Sequence, residues 1–184
     1  RLTEDGQAPA DNPFIDTPGA RPDIYSYGHR NIQGMTRDPA SDRIWANEHG
    51  SRGGDELNIL QPGRNYGWPD VTFSYEYWGP RISDERQRPG IEDPALVWTP
   101  SKAPSGLALY TGPEFPQWQG DLFSGALKYR QIRRIDLQDG EIRGTDKLSI
   151  GQRVRDIRQG PGGGLYVLTD ERDGQLLRIR PQQP

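Results

Sequence analysis

"GDLFSGAL" at residues 120–127 is followed, after three residues, by "QIRRIDL" at 131–137. Each is a short run of β-forming residues, and the gap between them is short enough for a hairpin turn. The same pair occurs twice more: "DRIWANE" at 42–48 with "DELNIL" at 55–60, and "GGLYVLTD" at 163–170 with "QLLRIRP" at 175–181. The offsets agree, with Trp45 to Asn58 thirteen residues, Phe123 to Ile135 twelve and Tyr166 to Ile179 thirteen. One supersecondary unit is being reused. The 43 residues from Phe123 to Tyr166 match one blade of a β-propeller rather than the strand spacing of a sandwich. The 78 residues from Trp45 to Phe123 are too many for one blade, so that interval holds an extra blade or a long insertion.

Composition agrees with a turn-rich all-β chain. Hydrophobic residues make up 32% of 184, with 23 Gly and 17 Pro, while 5 Trp and 8 Tyr supply core material. No stretch has sustained helical periodicity. The net charge of -3 gives no bulk reason to expect nucleic acid, and no apolar run is long enough to span a membrane. With no cysteine, disulfides, thiolate metal sites and cysteine nucleophiles are all excluded.

At about 40 to 50 residues per blade, the chain supplies three blades, or four. An open arc exposes strand edges and apolar blade faces. The expectation is therefore a single propeller domain over 1–184, continued by further blades upstream. The opening "RLTEDGQAPADNPF" is polar and turn-rich, reads as mid-chain sequence and has no signal-peptide pattern. Residues 61–105 read as a loop-rich insertion between blades, where Pro and Gly exclude long helices. Loops on a rigid scaffold are where a site is expected. Tyr75, Tyr77, Trp78 and Trp98 cluster around that insertion, and flat rings pack against the C–H faces of sugars.

"QRVRDIRQG" at 152–160 poses a local question. On a pleated strand Arg153 and Arg155 point to the same face, where two like charges repel. Either that face is solvated or something anionic stands in front of it.

Six stretches in order carry a family likeness: "YGHRNIQG" (27–34), "EHGSRGGDELN" (48–58), "GRNYGWP" (63–69), "APSG" (103–106), "FPQWQGDLFSGALK" (115–128) and "RVRD" (153–156). The set resembles the C-terminal half of the soluble pyrroloquinoline-quinone (PQQ)-dependent sugar dehydrogenases, the glucose/sorbosone or aldose sugar dehydrogenase family. The resemblance implies a six-bladed propeller with the quinone in a depression on one face. It implies oxidation of an aldose sugar at its anomeric carbon to a lactone, with hydride passing to PQQ and then electrons to an external acceptor. It maps quinone contacts onto Arg30, Asn31, Lys128, Arg153 and Arg155, with Arg30 also favouring charge development at the reactive carbonyl. Arginine suits a planar tricarboxylate because its fork matches a carboxylate and stacks on flat rings.

The resemblance further implies a Ca²⁺ ion held by the main-chain carbonyls of Gly50 and Ser51, with Asp55 behind them. "HGSRGGDELN" lacks the spacing of an EF-hand loop, and main-chain ligation leaves no side-chain signature. Asp55 is equally suited to capping its own turn. Ser51 stands where a proline is expected. Trp98, just before "TPSKAPSG", is expected against the substrate. The family's general-base histidine belongs to its N-terminal half and matches neither His29 nor His49, which are expected to order their loops. Such enzymes work outside the cytoplasm, so the resemblance implies a periplasmic or secreted protein. A non-catalytic propeller binding module and a calcium-dependent lactone hydrolase are the competing readings.

Overall fold

The computed structural model describes residues 1–181 and is built almost wholly of strands. The first sheet contains β1 (Ile32–Arg37), β2 (Ile44–Glu48), β3 (Asp55–Leu60) and β4 (Leu96–Trp98), in that order and antiparallel. The second repeats the plan with β5 (Pro104–Leu109), β6 (Leu122–Ala126), β7 (Gln131–Gln138) and β8 (Glu141–Ser149). The third contains β9 (Val154–Gln159), β10 (Leu165–Thr169) and β11 (Leu176–Ile179). The repeated hairpins of the sequence are β2–β3, β6–β7 and β10–β11, the second and third strands of each sheet. The chain thus forms three consecutive blades of a β-propeller. Residues 182–184 of the expected domain lie outside the described residues.

The insertion is placed differently from the sequence expectation. Trp98 pairs with Asp55, so residues 96–98 complete the first sheet as its fourth strand. The long loop is therefore 61–95, inside the first blade between β3 and β4, and only residues 99–103 join that blade to the next.

The first strands β1, β5 and β9 pack side by side. They approach closely because glycine removes the side chain between them: a Cβ at Gly34 would lie 2.5 Å from the Ser105 carbonyl oxygen, and one at Gly106 would lie 2.8 Å from the Asp156 Cα. The contacts advance together along the strands. Gly34 meets Ser105 and Leu107 while Leu109 N–H donates to Thr36, and Ser105 donates to the Val154 carbonyl while Thr111 N–H donates to Gln159. The three inner strands are therefore parallel, and their N-terminal ends share one face of the arc.

Two apolar clusters cement the blades. Trp45, Leu57, Trp98, Leu107, Leu122 and Ile135 fill the space between the first and second. Tyr110, Phe123, Ile132, Ile157 and Leu165 lead the cluster between the second and third. Leu122 and Phe123 are neighbours in sequence but serve opposite clusters, because successive strand residues face opposite sides. Both faces of β6 are buried, which explains its near-continuous apolar run.

Candidate functional site

The registers place almost every expected site residue at the end where the inner strands begin. Ile32 pairs with Glu48 and Asp55 with Trp98, so Arg30, Asn31 and the 49–54 turn sit together. Pro104 pairs with Ala126 and Val154 with Thr169, which adds Lys128 and the Arg153–Arg155 stretch to the same face.

Glu48 organises the first part. Its carboxylate accepts the backbone N–H groups of Arg30 (2.7 Å) and Asn31 (3.2 Å) and the side chain of Asn58 (2.9 Å), and lies 3.0 Å from His29 Nδ1. His29 also meets the Ser26 hydroxyl through Nε2 (2.9 Å) and stacks on Tyr66 with ring centroids 4.5 Å apart. His49 Nε2 lies 2.6 Å from the Pro104 carbonyl oxygen and ties the first blade to the second. Both histidines are thus engaged in holding loops.

The Arg30 guanidinium donates through Nη1 to the carbonyls of His49 (3.2 Å) and Gly50 (3.1 Å) and lies 5.2 Å from the centre of the Trp68 ring. Its Nε is buried with no hydrogen-bond partner. A cavity of about 10 Å³ lies beside it, lined by Glu48, Glu56, Tyr66 and Ser74 among others. Burial raises the Glu56 carboxyl to about 7, with the negative Glu48 alongside adding to the effect. The Asn31 side chain is exposed, and its carbonyl oxygen accepts from Gln33 (2.8 Å).

Asp55 is wholly buried and saturated. Its oxygens accept the N–H groups of Gly50 (2.9 Å), Lys102 (2.5 Å) and Ala103 (3.0 Å) and the Ser101 hydroxyl (2.9 Å). Of the two roles open to it from sequence, the structure displays the structural one: it pins the 50–54 turn to the inter-blade linker. The Ser51 hydroxyl donates to the Tyr75 carbonyl and anchors the insertion to that turn. Among the described residues no group of three His, Cys, Asp or Glu side chains converges as a metal cluster.

Arg153 and Arg155 do face an anion, and it belongs to the protein. Asp170 Oδ2 accepts from Arg153 Nε (3.0 Å) and Nη2 (2.8 Å) and from Arg155 Nη2 (2.9 Å). These bonds hold the Asp170 carboxyl below its usual range, and those from Arg153 matter most. The arginine side chains are still 41% and 47% exposed. A second carboxylate, Glu171, accepts the Arg153 backbone N–H (3.0 Å) and leaves both guanidiniums to share Asp170 alone, with part of each open to solvent. Lys128 is exposed, with Nζ 5.6 Å from the Tyr129 ring centre.

Trp98 requires a correction. It is only 5% exposed and packed in the cluster between the first two blades, so its ring is closed to a sugar. Alternation on β4 turns it inward. The most exposed rings among the described residues are instead Tyr77 (69%) and Trp78 (77%) in the insertion. Asp170 and Lys102 are the residues that sequence reading passed over. The first carried no signal beyond closing the first run of a repeated hairpin, whereas the second stood inside the quoted "TPSKAPSG".

The glucose/sorbosone dehydrogenase family profile matches residues 1–178. The chain belongs to this family. Aldose sugar dehydrogenase YliI of Escherichia coli is 49% identical over 190 residues, covering 99% of this chain and 50% of its own length. A crystal structure of the soluble aldose sugar dehydrogenase from E. coli in its apo form matches with a TM-score of 0.93 at 46% identity, over 98% of this chain and 53% of that one. The PQQ-bound aldose sugar dehydrogenase of Streptomyces coelicolor matches with a TM-score of 0.74 at 30% identity, over 98% and 50%. The chain spans about half the length of the curated relatives it matches. Among the described residues, no helix is long and apolar enough to cross a membrane.

Proposed function

We propose that the face carrying Arg30, Lys128, Arg153 and Arg155 binds pyrroloquinoline quinone, and that the chain supplies the quinone-holding side of an aldose sugar dehydrogenase. The carrying observation is the pair Arg153 and Arg155, half-exposed, held side by side by a shared carboxylate and with guanidinium donors still open to solvent. A family member bound to PQQ at 30% identity supports the choice of ligand.

The donor set fits the group. Two guanidiniums with donors open to solvent, a third with a buried unpartnered Nε and an exposed ammonium suit a planar polycarboxylate. When bound, the quinone supplies the two-electron acceptor for oxidation of an aldose to its lactone. Arg153 and Arg155 would bind and orient its carboxylates, and Arg30 and Asn31 would serve its reactive carbonyl. Arg30 would favour negative charge developing there without rearranging, because its Nη1 is already fixed on two carbonyls. The exposed rings of Tyr77 and Trp78 are placed to take the apolar faces of the sugar.

For Ca²⁺, the carbonyl oxygens of Gly50 and Ser51 are hard donors, although the Gly50 oxygen already accepts from the Arg30 guanidinium (3.1 Å). Two carbonyls fall far short of the roughly 6 to 8 oxygens calcium takes, so an ion there would draw its other oxygens from water or from the bound quinone. Electrons are proposed to leave to an external acceptor, with the reaction in the periplasm or outside the cell.

The test is dye reduction. The chain, alone and joined to the N-terminal half of a family member, is mixed with PQQ, Ca²⁺, aldoses and an artificial electron acceptor. Turnover is expected only in the joined form, because both histidines here are engaged in loops. Binding of PQQ without turnover in either form supports a non-catalytic module instead.

A further inference from the structure

The three lysines of the chain are Lys102, Lys128 and Lys147, and two of them meet over one ring. Lys102 Nζ lies 4.8 Å and Lys128 Nζ 5.6 Å from the centre of Tyr129. The two loops are joined by main chain, since Lys128 N–H donates to the Lys102 carbonyl (3.2 Å). Behind them, Arg133 donates through Nη2 to Thr145 (2.7 Å) while its Nε is buried without a partner. Among the described residues none of the three cations forms an ion pair. The nearby carboxylate is Asp55, whose oxygens are taken by Gly50, Ser101 and the 102–103 backbone.

Three positive groups therefore share one locality, with the buried Asp55 carboxylate beneath them already saturated by hydrogen bonds. Partial burial holds the Lys102 ammonium below its usual range, with repulsion from Arg133 and Lys128 adding to it and attraction to Asp55 opposing it. A solvated face would spread its cations apart, whereas here the fold draws them together. The position is also telling. Arg30 precedes β1, Arg153 precedes β9, and Lys102 precedes β5 between them, so each parallel inner strand brings one cation to the same end.

We propose that Lys102, Lys128 and Arg133 form an oxyanion subsite at the start of the second blade, with Lys102 its specific addition to the cation set. Resting on the reading above, its occupant is one carboxylate of the bound quinone. A free oxyanion from solution is the other source of the same chemistry.

The protein, Lys102→Gln and Lys102→Arg are titrated with PQQ by absorbance. Acetylation of each lysine is followed in parallel by mass spectrometry, with no ligand, with PQQ and with inorganic phosphate. The expected result is about tenfold weaker PQQ binding in Lys102→Gln, affinity within about threefold in Lys102→Arg, and protection of Lys102 by PQQ in the unaltered protein. Tight PQQ binding that ignores both the substitution and the label overturns the subsite while leaving the proposed function intact. If PQQ does not bind at all, the proposed function fails and phosphate decides: protection of Lys102 and Lys128 retains the subsite for a free oxyanion, and no protection overturns it.

Discussion

Arg153 and Asp170 form a two-point ion pair in which Nε and Nη2 of one guanidinium lie 3.0 and 2.8 Å from the same carboxylate oxygen. Arg155 adds a third bond to that oxygen at 2.9 Å. The carboxylate offsets the repulsion between neighbours on one strand face and fixes their direction. Asp170→Ala frees two long side chains that then have to be ordered by the ligand. It is expected to weaken PQQ binding about tenfold in an absorbance titration. If Asp170 only screened charge, its removal would tighten binding.

Glu56 makes stability depend on pH in the direction opposite to a paired carboxylate. Its carboxyl titrates near 7 in the folded chain against an ordinary value of 4.5. The unfolded chain loses this proton first, so the stability Glu56 contributes is fully present below pH 4.5 and is lost as pH rises through 7. Glu56→Gln is expected to be more stable than the unaltered protein at pH 8 by up to about 3 kcal/mol, with the difference vanishing near pH 4. Urea unfolding at the two pH values measures it.

Asp55 joins the 50–54 turn to the linker between blades through bonds to Gly50, Ser101, Lys102 and Ala103. Asp55→Ala leaves buried donors unsatisfied and is expected to cost about 3 to 5 kcal/mol in urea unfolding. An effect below about 1 kcal/mol would mean that the carboxylate is dispensable to the fold.

Trp98 and Trp78 are expected to separate stability from substrate binding. Trp98→Ala opens a hole in the cluster with Trp45 and Leu57 and should cost about 3 to 5 kcal/mol. Trp78→Ala, at a ring that is 77% exposed, should change stability by less than about 0.5 kcal/mol. In the dye assay it is expected to raise KM for the aldose with little change in kcat. An unchanged KM would remove Trp78 from the substrate face.

The blades were legible because hairpin spacing is a local property: β2–β3, β6–β7 and β10–β11 each declare themselves by apolar runs around a turn. The fourth strand of the first blade was not, since Leu96–Trp98 is three residues long and is a strand only by pairing with Asp55–Leu57. For the same reason the insertion was read between blades instead of within one. Arg153 and Arg155 were legible as a pair from strand alternation, but their partner Asp170 is fifteen or more residues away and meets them only through the β9–β10 register. Trp98 was misplaced because proximity to a loop says nothing of which strand face a ring takes. Lys102 and Arg133 carried no pattern in sequence, since their charges meet only once the 99–103 linker and the start of β7 share an end of the second blade.

Equilibrium titration of PQQ against the protein and against the double variant Arg153→Ala, Arg155→Ala bears most directly on the proposed ligand. The account predicts one quinone bound per chain in the unaltered protein, with affinity reduced at least about a hundredfold in the variant, as expected for two lost charge-assisted contacts. Equal binding by both proteins would contradict it.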